Sequence, residues 1–316
     1  MVRTSIVIPT HNRAEMLRDA IESALALPGA SARELIVVND GSTDATDAVL
    51  RGYGRRIRAL SVSHGERSRA RNAGLAAATG DFVVFLDDDD VFLPEGLERL
   101  EAELEKSSSD VAMVYGKPRY VKVDPDSPLA GTLPPQLGAS GWILPQLLCN
   151  NFLVVGNLVA RREVLQALGG FDSAWPPVED YELWVRVAAG KRIVYCDVES
   201  AEIRLHRSNS TTAMDRSFQK SEGVREGYLL SPRCLQDAAS RDAAGQPAAR
   251  EALAHVILDL ARQRWWQGDV ATSRRAFSQA VRLAPMQTLR GAGELWRLWL
   301  PRRRYASLSA SENASS

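Results

Sequence analysis

Over the first hundred residues, short unbroken apolar runs alternate with stretches whose apolar residues recur every three or four positions. Ser5 to Ile8 and Glu34 to Asn39 have the length and content of buried strands, with a third expected near Arg58 to Val62 and a fourth from Phe82 to Leu86. Between them, Ala14 to Leu25 carries Met16, Leu17, Ala20, Ile21 and Ala24 at helical spacing. A second helix opens near Asp44, and an alanine-rich one runs from Arg67 to Ala78. Pro94 stands near the start of the next helix, where its missing N–H is no loss. Strands alternating with helices predict a parallel sheet covered on both faces.

The pattern then changes. Val111 to Tyr120 is β-rich, and Asp124 to Ser140 reads as an exposed loop rich in Pro, Gly and Ser. Leu153 to Ala160 predicts another strand, Arg162 to Leu168 a helix stopped by Gly169-Gly170, and Val178 to Ala188 a helix with Trp184 and Val185 turned inward. Ile193 to Val198 is the last expected strand; after about Met214 only helical spacing remains. The expected organisation is an α/β domain over 1–215, a helical region over 216–305 and a small polar tail, 306–316, too poor in apolar residues to fold. Ala261 to Pro285 predicts a helical hairpin broken at Gly268-Asp269, with Trp265, Trp266, Phe277, Ala280 and Val281 on apolar faces. It has the form of a single tetratricopeptide-like repeat, and one copy cannot bury its own face.

Composition narrows the class. Of 316 residues, 45% are apolar and 25% charged, as in ordinary globular proteins. Lys+Arg and Asp+Glu both number 39, so no net field draws the chain to nucleic acid. Cys149, Cys196 and Cys234 are scattered without a CxxC, which argues against a disulfide framework and fits a reducing compartment. There is no signal-peptide pattern and no run near the ~20 apolar residues of a membrane span. The expectation is a cytoplasmic protein. Leu295-Trp296-Arg297-Leu298-Trp299-Leu300 followed by Arg302-Arg303-Arg304 qualifies that, because Trp and Leu beside clustered Arg suit the headgroup region of an anionic membrane. Peripheral membrane contact is therefore expected there, with docking on the chain's own surface as the alternative.

The candidate chemistry sits at strand ends. The Phe82 strand runs into Asp87-Asp88-Asp89-Asp90, four adjacent carboxylates that repel one another. In open α/β sheets, ligands bind beyond the carboxyl ends of the strands. Carboxylates gathered there suit a hard divalent cation and the phosphates it accompanies. Two further strand ends carry Pro9-Thr10-His11-Asn12-Arg13 and Asn39-Asp40-Gly41-Ser42-Thr43-Asp44. Turn and capping chemistry accounts for Gly41, Ser42 and Thr43. It does not account for Asp40, whose carboxylate can accept hydrogen bonds from the edge of a nucleobase. No GxGxxG follows the first strand and no P-loop is present.

In order and spacing, Val7-Ile8-Pro9-Thr10-His11-Asn12-Arg13, then Val37-Val38-Asn39-Asp40-Gly41-Ser42-Thr43-Asp44, then Ala70-Arg71-Asn72-Ala73-Gly74 leading to Gly80-Asp81 and Leu86-Asp87-Asp88-Asp89-Asp90, resemble the family 2 inverting glycosyltransferases. The likeness covers residues 4 to 212 and implies the GT-A fold, a Rossmann-like, mostly parallel sheet with helices on both faces. It implies that Asp40 reads the nucleotide base, usually uracil, and that Pro9, Thr10 and Arg13 line the nucleoside and phosphate pocket. Asp87 and Asp89 match the ends of the DxD motif, with Asp89 holding Mn²⁺ or Mg²⁺ on the diphosphate and Asp87 facing the ribose or sugar. Asp88 fills the middle position, Asp90 stands behind, and Arg71 would neutralise phosphate.

Gly169-Gly170-Phe171-Asp172 followed by Val178-Glu179-Asp180-Tyr181-Glu182-Leu183-Trp184 resembles the family's ED segment, which makes Asp180 the general base. The chemistry needs one, since a sugar hydroxyl is a poor nucleophile until its proton leaves. Glu179 would help orient the acceptor, and Trp175 is a candidate for stacking on a sugar ring. Arg204 to Thr212 resembles the loop that closes over the donor, with His206 placed to join the metal. His11 and His64 receive no role, although His64 is expected in a turn near the nucleotide.

The implied function is inverting, metal-dependent transfer of a sugar from a nucleoside diphosphate donor, UDP-linked by expectation, to a hydroxyl of a glycan or lipid-linked acceptor in bacterial surface polysaccharide synthesis. No nucleic-acid partner is expected. Two alternatives stay open: a sugar nucleotidyltransferase, which would carry a Gly- and Lys-rich triphosphate loop near the first strand, and a non-catalytic scaffold of the same fold.

Overall fold

In a computed structural model of the chain, the residues described are 3–29, 32–124, 138–207, 209, 214–243, 248–286 and 288. They divide into two compact units, Met1–Ser221 and Glu222–Ser316. In the first, β1 (Thr4–Thr10) is buried along its whole length and pairs in parallel with β2 (Arg33–Asp40) on one side and β4 (Phe82–Phe85) on the other. A strand walled in on every side has no solvent face to keep polar, which is why it reads as a continuous apolar run. β3 (Arg58–Val62) closes the sheet beside β2, and its Arg58, Ala59 and Ser61 are exposed as an edge strand's should be.

Beyond β4 the sheet continues through β7 (Leu158–Arg161), β6 (Val111–Lys122), β8 (Arg192–Leu205) and β5 (Val91–Phe92), giving the order β3-β2-β1-β4-β7-β6-β8-β5. The sheet is mostly parallel, as expected, and its antiparallel members lie in this second half. β7 runs antiparallel to both β4 and β6, and β5 runs antiparallel to β8. β6 therefore points the same way as β4, with β7 inserted between them.

Alternate residues of β1 face opposite layers. Ile6 and Ile8 join Leu35, Val37 and Val84 against α1 (Ala14–Leu25), α2 (Thr46–Tyr53) and α4 (Gly96–Lys106). Val7 points at α3 (Arg67–Ala77), where Gly74 permits close approach: a Cβ there would lie 2.2 Å from Val7 Cγ1. On that second face Phe171 meets Phe85 edge-on at 4.9 Å and Trp184 of α7 (Glu179–Gly190) at 6.1 Å. The short helices α5 (Leu144–Cys149) and α6 (Arg162–Ala167) complete this unit's regular elements before α8 (Met214–Leu229), which contains the boundary.

Two strand limits differ from expectation. The strand expected from Leu153 shrinks to Leu158–Arg161, because Gly156 adopts φ 94° and Asn157 N–H turns back to the Val154 carbonyl at 3.2 Å. β8 instead continues to Leu205, held by pairing with β6 as far as Lys122. That takes Arg204 and Leu205 out of the expected loop and into the sheet.

The second unit contains α9 (Pro232–Ala243), α10 (Ala248–Trp266) and α11 (Val270–Leu283). The α10–α11 break falls at Gly268 (φ 83°) and at Asp269, whose side chain accepts the Thr272 N–H at 3.0 Å. Phe277 and Ala280 are buried, but Trp266 is 73% exposed. The expectation of an apolar face for Trp266 is corrected: it is the last residue of α10, at the turn before α11 begins. Trp265 and Val281 are half-buried. Among the described residues no helix is long and apolar enough to cross a membrane. Most of the Asp124–Ser140 loop and the segments 295–304 and 306–316 lie outside the described residues.

Candidate active site

The order β3-β2-β1-β4 places a change of winding direction at β1 and β4, and crevices form beyond the carboxyl ends at such points. A hollow of about 260 Å³ opens there, lined by Pro9 and Thr10 at the end of β1 and Arg13 beyond it, Asp40 at the end of β2, and Asp87 and Asp88 after β4. His11, His64, Gly65, Arg67 and Ala70 complete its wall.

The base-reading end is built by tight turns. Asn12 (φ 54°) sits in the left-handed region, and its Oδ1 accepts the Thr43 N–H at 2.7 Å, tying the β1 and β2 loops together. Gly41 (φ 65°) leaves no room for a side chain, since a Cβ would lie 2.7 Å from the His64 nitrogen. The Asp40 carboxylate is aimed by the Gly65 N–H at 3.0 Å and by His64 Nδ1 at 3.3 Å. His11 Nδ1 donates to the Asp40 carbonyl at 2.7 Å while its Nε2 faces Asn12 Nδ2 at 3.0 Å, an arrangement that puts the ring proton on Nδ1. The two imidazoles stack with centroids 4.0 Å apart.

At the opposite wall the four aspartates separate into different environments. Arg13 Nη1 reaches Asp88 at 3.0 Å and Asp89 at 2.5 Å, and His206 Nε2 lies 3.1 Å from Asp89 Oδ2. Asp90 accepts the Arg204 N–H at 2.9 Å from the end of β8. Burial pushes Asp88 up to about 6, with Arg13 opposing the shift and Asp89 adding to it. Burial likewise raises Asp90 well above the ordinary range, assisted by the charges of Asp89 and Asp87. Burial also works against charge on Asp87, but Arg71 and Arg67 outweigh it and the pKa falls.

Carboxylate oxygens of Asp87, Asp89 and Asp90 lie within 4.8 Å of one another. Hard oxygen donors so grouped fit a divalent cation such as Mn²⁺ or Mg²⁺.

Arg71 departs from its expected place on phosphate. It is 1% exposed, and its guanidinium is held by Asp87 Oδ1 at 2.7 Å and Glu179 Oε1 at 2.8 Å. It thereby joins the aspartate turn to the first residue of α7. Asn72, beside it, makes a two-way clamp: its amide donates to the Phe171 carbonyl and accepts the Phe171 N–H, both at 2.8 Å. The ARNAG string thus docks α3 to the ED segment.

Asp180 follows Glu179 in the first turn of α7, and its Oδ1 accepts the Tyr181 N–H at 2.7 Å. Burial first, and the charge of Glu179 second, push Asp180 up to about 6, against the pull of Arg71. Asp87 acts on it in the same direction. Trp175 is half-buried in the turn ahead of α7, and its carbonyl accepts the Val178 N–H at 2.7 Å.

Six of the residues singled out from sequence line one hollow: Pro9, Thr10, Arg13, Asp40, Asp87 and Asp88. Asp89 and His206 pair behind Arg13, and Glu179 with Asp180 are reached through Arg71. The loop after His206 lies largely outside the described residues. Sequence reasoning missed Arg67 and the aiming role of His64. Arg67 had a visible signal, standing one helical turn before Arg71 and hence on the same face of α3.

A mostly parallel sheet in this order, with acidic turns beyond β2 and β4, defines the GT-A class of glycosyltransferase fold. Residues 5–148 match the family model described as Glycosyl transferase family 2. The chain is 32% identical over 244 residues to the succinoglycan biosynthesis protein ExoO of Rhizobium meliloti, covering 68% of this chain and 67% of that one. It is 29% identical over 231 residues to glycosyltransferase RP339 of Rickettsia prowazekii, covering 71% of each. S. aureus TarS residues 1–349, crystallised with UDP-GlcNAc, superposes with a TM-score of 0.61 at 16% identity, covering 90% of this chain and 82% of that one. The chain belongs to glycosyl transferase family 2.

Proposed function

We propose that this protein is an inverting glycosyltransferase that moves a sugar from a UDP-linked donor to a hydroxyl of a glycan or lipid-linked acceptor in bacterial polysaccharide synthesis, working in the cytoplasm with Mn²⁺ or Mg²⁺. The observation that carries the proposal is the Asp87–Arg71–Glu179 bridge, which couples the donor-side aspartates to the segment bearing Asp180. The name of the Rhizobium relative supports the pathway class, and the ligand of the TarS crystal supports the donor class.

In this reading Asp40 accepts a hydrogen bond from the base, and Arg13 and Arg67 set positive charge around the diphosphate. Trp175 offers an aromatic face to the acceptor and Glu179 fixes the start of α7. Asp180, as the carboxylate, takes the acceptor hydroxyl's proton while the hydroxyl oxygen bonds to the anomeric carbon. The bond from that carbon to the diphosphate breaks on the opposite face, so configuration inverts. A cation held by Asp89, with Asp87, Asp90 and His206 beside it, would supply Lewis-acid charge to the departing diphosphate.

The deciding experiment is a UDP-release assay over several donors, with and without Mn²⁺, joined to NMR of the product's anomeric proton. Metal-dependent release with an inverted product supports the proposal. Retained configuration, or undiminished release in chelator, overturns it.

A further inference from the structure

We propose that the helical unit carries an arginine groove that seats the phosphate headgroups of an anionic phospholipid bilayer. Two hollows adjoin at Arg282. One, about 360 Å³, is lined by Leu230, Arg274, Arg275, Ser278, Gln279 and Arg282. The other, about 460 Å³, is lined by Leu235, Ala239, Arg250, Arg282 and Leu283. Four guanidinium groups thus border one groove, and among the described residues its lining includes no acidic side chain.

Arg274, Ser278 and Arg282 are spaced four apart on α11 and form one stripe along the helix. Arg275 is steadied by donating to Thr272 Oγ1 at 3.1 Å, and Gln279 by donating to the Ser231 carbonyl at 3.0 Å. The planar guanidinium fork matches phosphate oxygens two at a time.

The composition of this unit points the same way. Residues 222–316 carry fourteen arginines and no lysine against nine Asp and Glu, an excess of five positive charges. Residues 1–221 hold the balancing negative excess. The groove's floor is apolar at Leu230, Leu235 and Leu283. Two of the large exposed apolar side chains also belong to this unit: Trp266, which ends α10, and Met286, 59% exposed, just past α11. A basic rim over apolar lining suits the interface of an anionic bilayer. The chain's own last segment does not suit the groove, since residues 289–316 carry five arginines against two glutamates and share its sign.

Full-length protein is sedimented with phosphatidylcholine vesicles, with or without phosphatidylglycerol, as wild type and as R274Q/R275Q/R282Q. Wild type should partition onto the phosphatidylglycerol vesicles alone. The triple variant's partition coefficient should fall about a hundredfold, each basic residue near an anionic surface being worth about a factor of five. R302Q/R303Q/R304Q should retain the groove-dependent share. Circular dichroism checks the fold, and Arg282→Glu serves as a milder second variant if the triple one loses helix. Equal partition of wild type and both groove variants overturns the proposal. So does calorimetric binding of inorganic phosphate, lost in the groove variants, with no partition of wild type onto either vesicle, which reassigns the groove to a free phosphorylated ligand. Groove-dependent binding of single-stranded RNA without vesicle binding also overturns it.

Discussion

Arg71 Nη1 lies 2.8 Å from Glu179 Oε1 while its Nη2 lies 2.7 Å from Asp87 Oδ1, so a single buried cation ties the turn after β4 to the start of α7. The Phe171 ring lies 5.3 Å from the same guanidinium. Paired acids would repel across this gap without it, and Glu179 would be left as a buried charge.

Arg71→Met should therefore destabilise the first unit by about 3–5 kcal/mol, the penalty for stranding a buried charge. Urea unfolding followed by tryptophan fluorescence measures it. Arg71→Lys keeps the charge but lacks the two-armed fork, and is expected to fall between the two. A Met variant as stable as wild type would show that the bridge does not hold the segments together.

Asp180→Asn should lower kcat by about 10²- to 10⁴-fold, the range for loss of a general base, with UDP affinity unchanged. Calorimetric titration with UDP separates binding from turnover. If affinity falls with kcat, Asp180 supports the donor pocket and is not the base.

The same residue sets a pH limb. Burial lifts Asp180 to about 6, and a base must be deprotonated to act. The value of kcat/KM should rise with pH through about 6 and level off above it, and this limb should vanish in Asp180→Asn.

Asp88 makes a separate statement about stability. Its pKa rises from 3.8 to about 6 on folding, so the folded state holds the proton more tightly than the unfolded chain. The stabilisation is complete below pH 3.8 and is lost as pH climbs through 6, amounting to about 3 kcal/mol for this group. Metal-free protein should lose stability over that window, and Mn²⁺ should restore it at neutral pH because the carboxylates then face a cation. Melting curves from pH 4 to 7 with and without Mn²⁺ check both. The Mn²⁺ effect should largely disappear in Asp89→Asn.

Gly41→Ala places a Cβ 2.7 Å from the His64 nitrogen at a backbone φ of 65°. It should cost about 1–3 kcal/mol and weaken UDP binding, because the turn carrying His64 and Gly65 also aims Asp40. Unchanged UDP affinity in a stable Gly41→Ala protein would separate that turn from base reading.

The amino-acid sequence alone determined the strands through Phe82, the helices between them, and the acidic and glycine-bearing turns. Each of these is written locally, in runs of apolar residues and in neighbours along the chain. It also carried enough ordered motif to indicate the family. Tertiary structure decided the rest. The reversed β7 and the extension of β8 to Leu205 depend on which strands lie alongside, information held in β4 and β6 rather than in their own residues. From its motif Arg71 is expected on phosphate, and only folding brings it to Glu179, 108 positions away. Trp266 fits a helical apolar stripe yet stands in solvent, because the partner helix begins only after the turn that follows it. Periodicity reports which face of an element is apolar, but the partner that covers it is chosen by the chain's path through space.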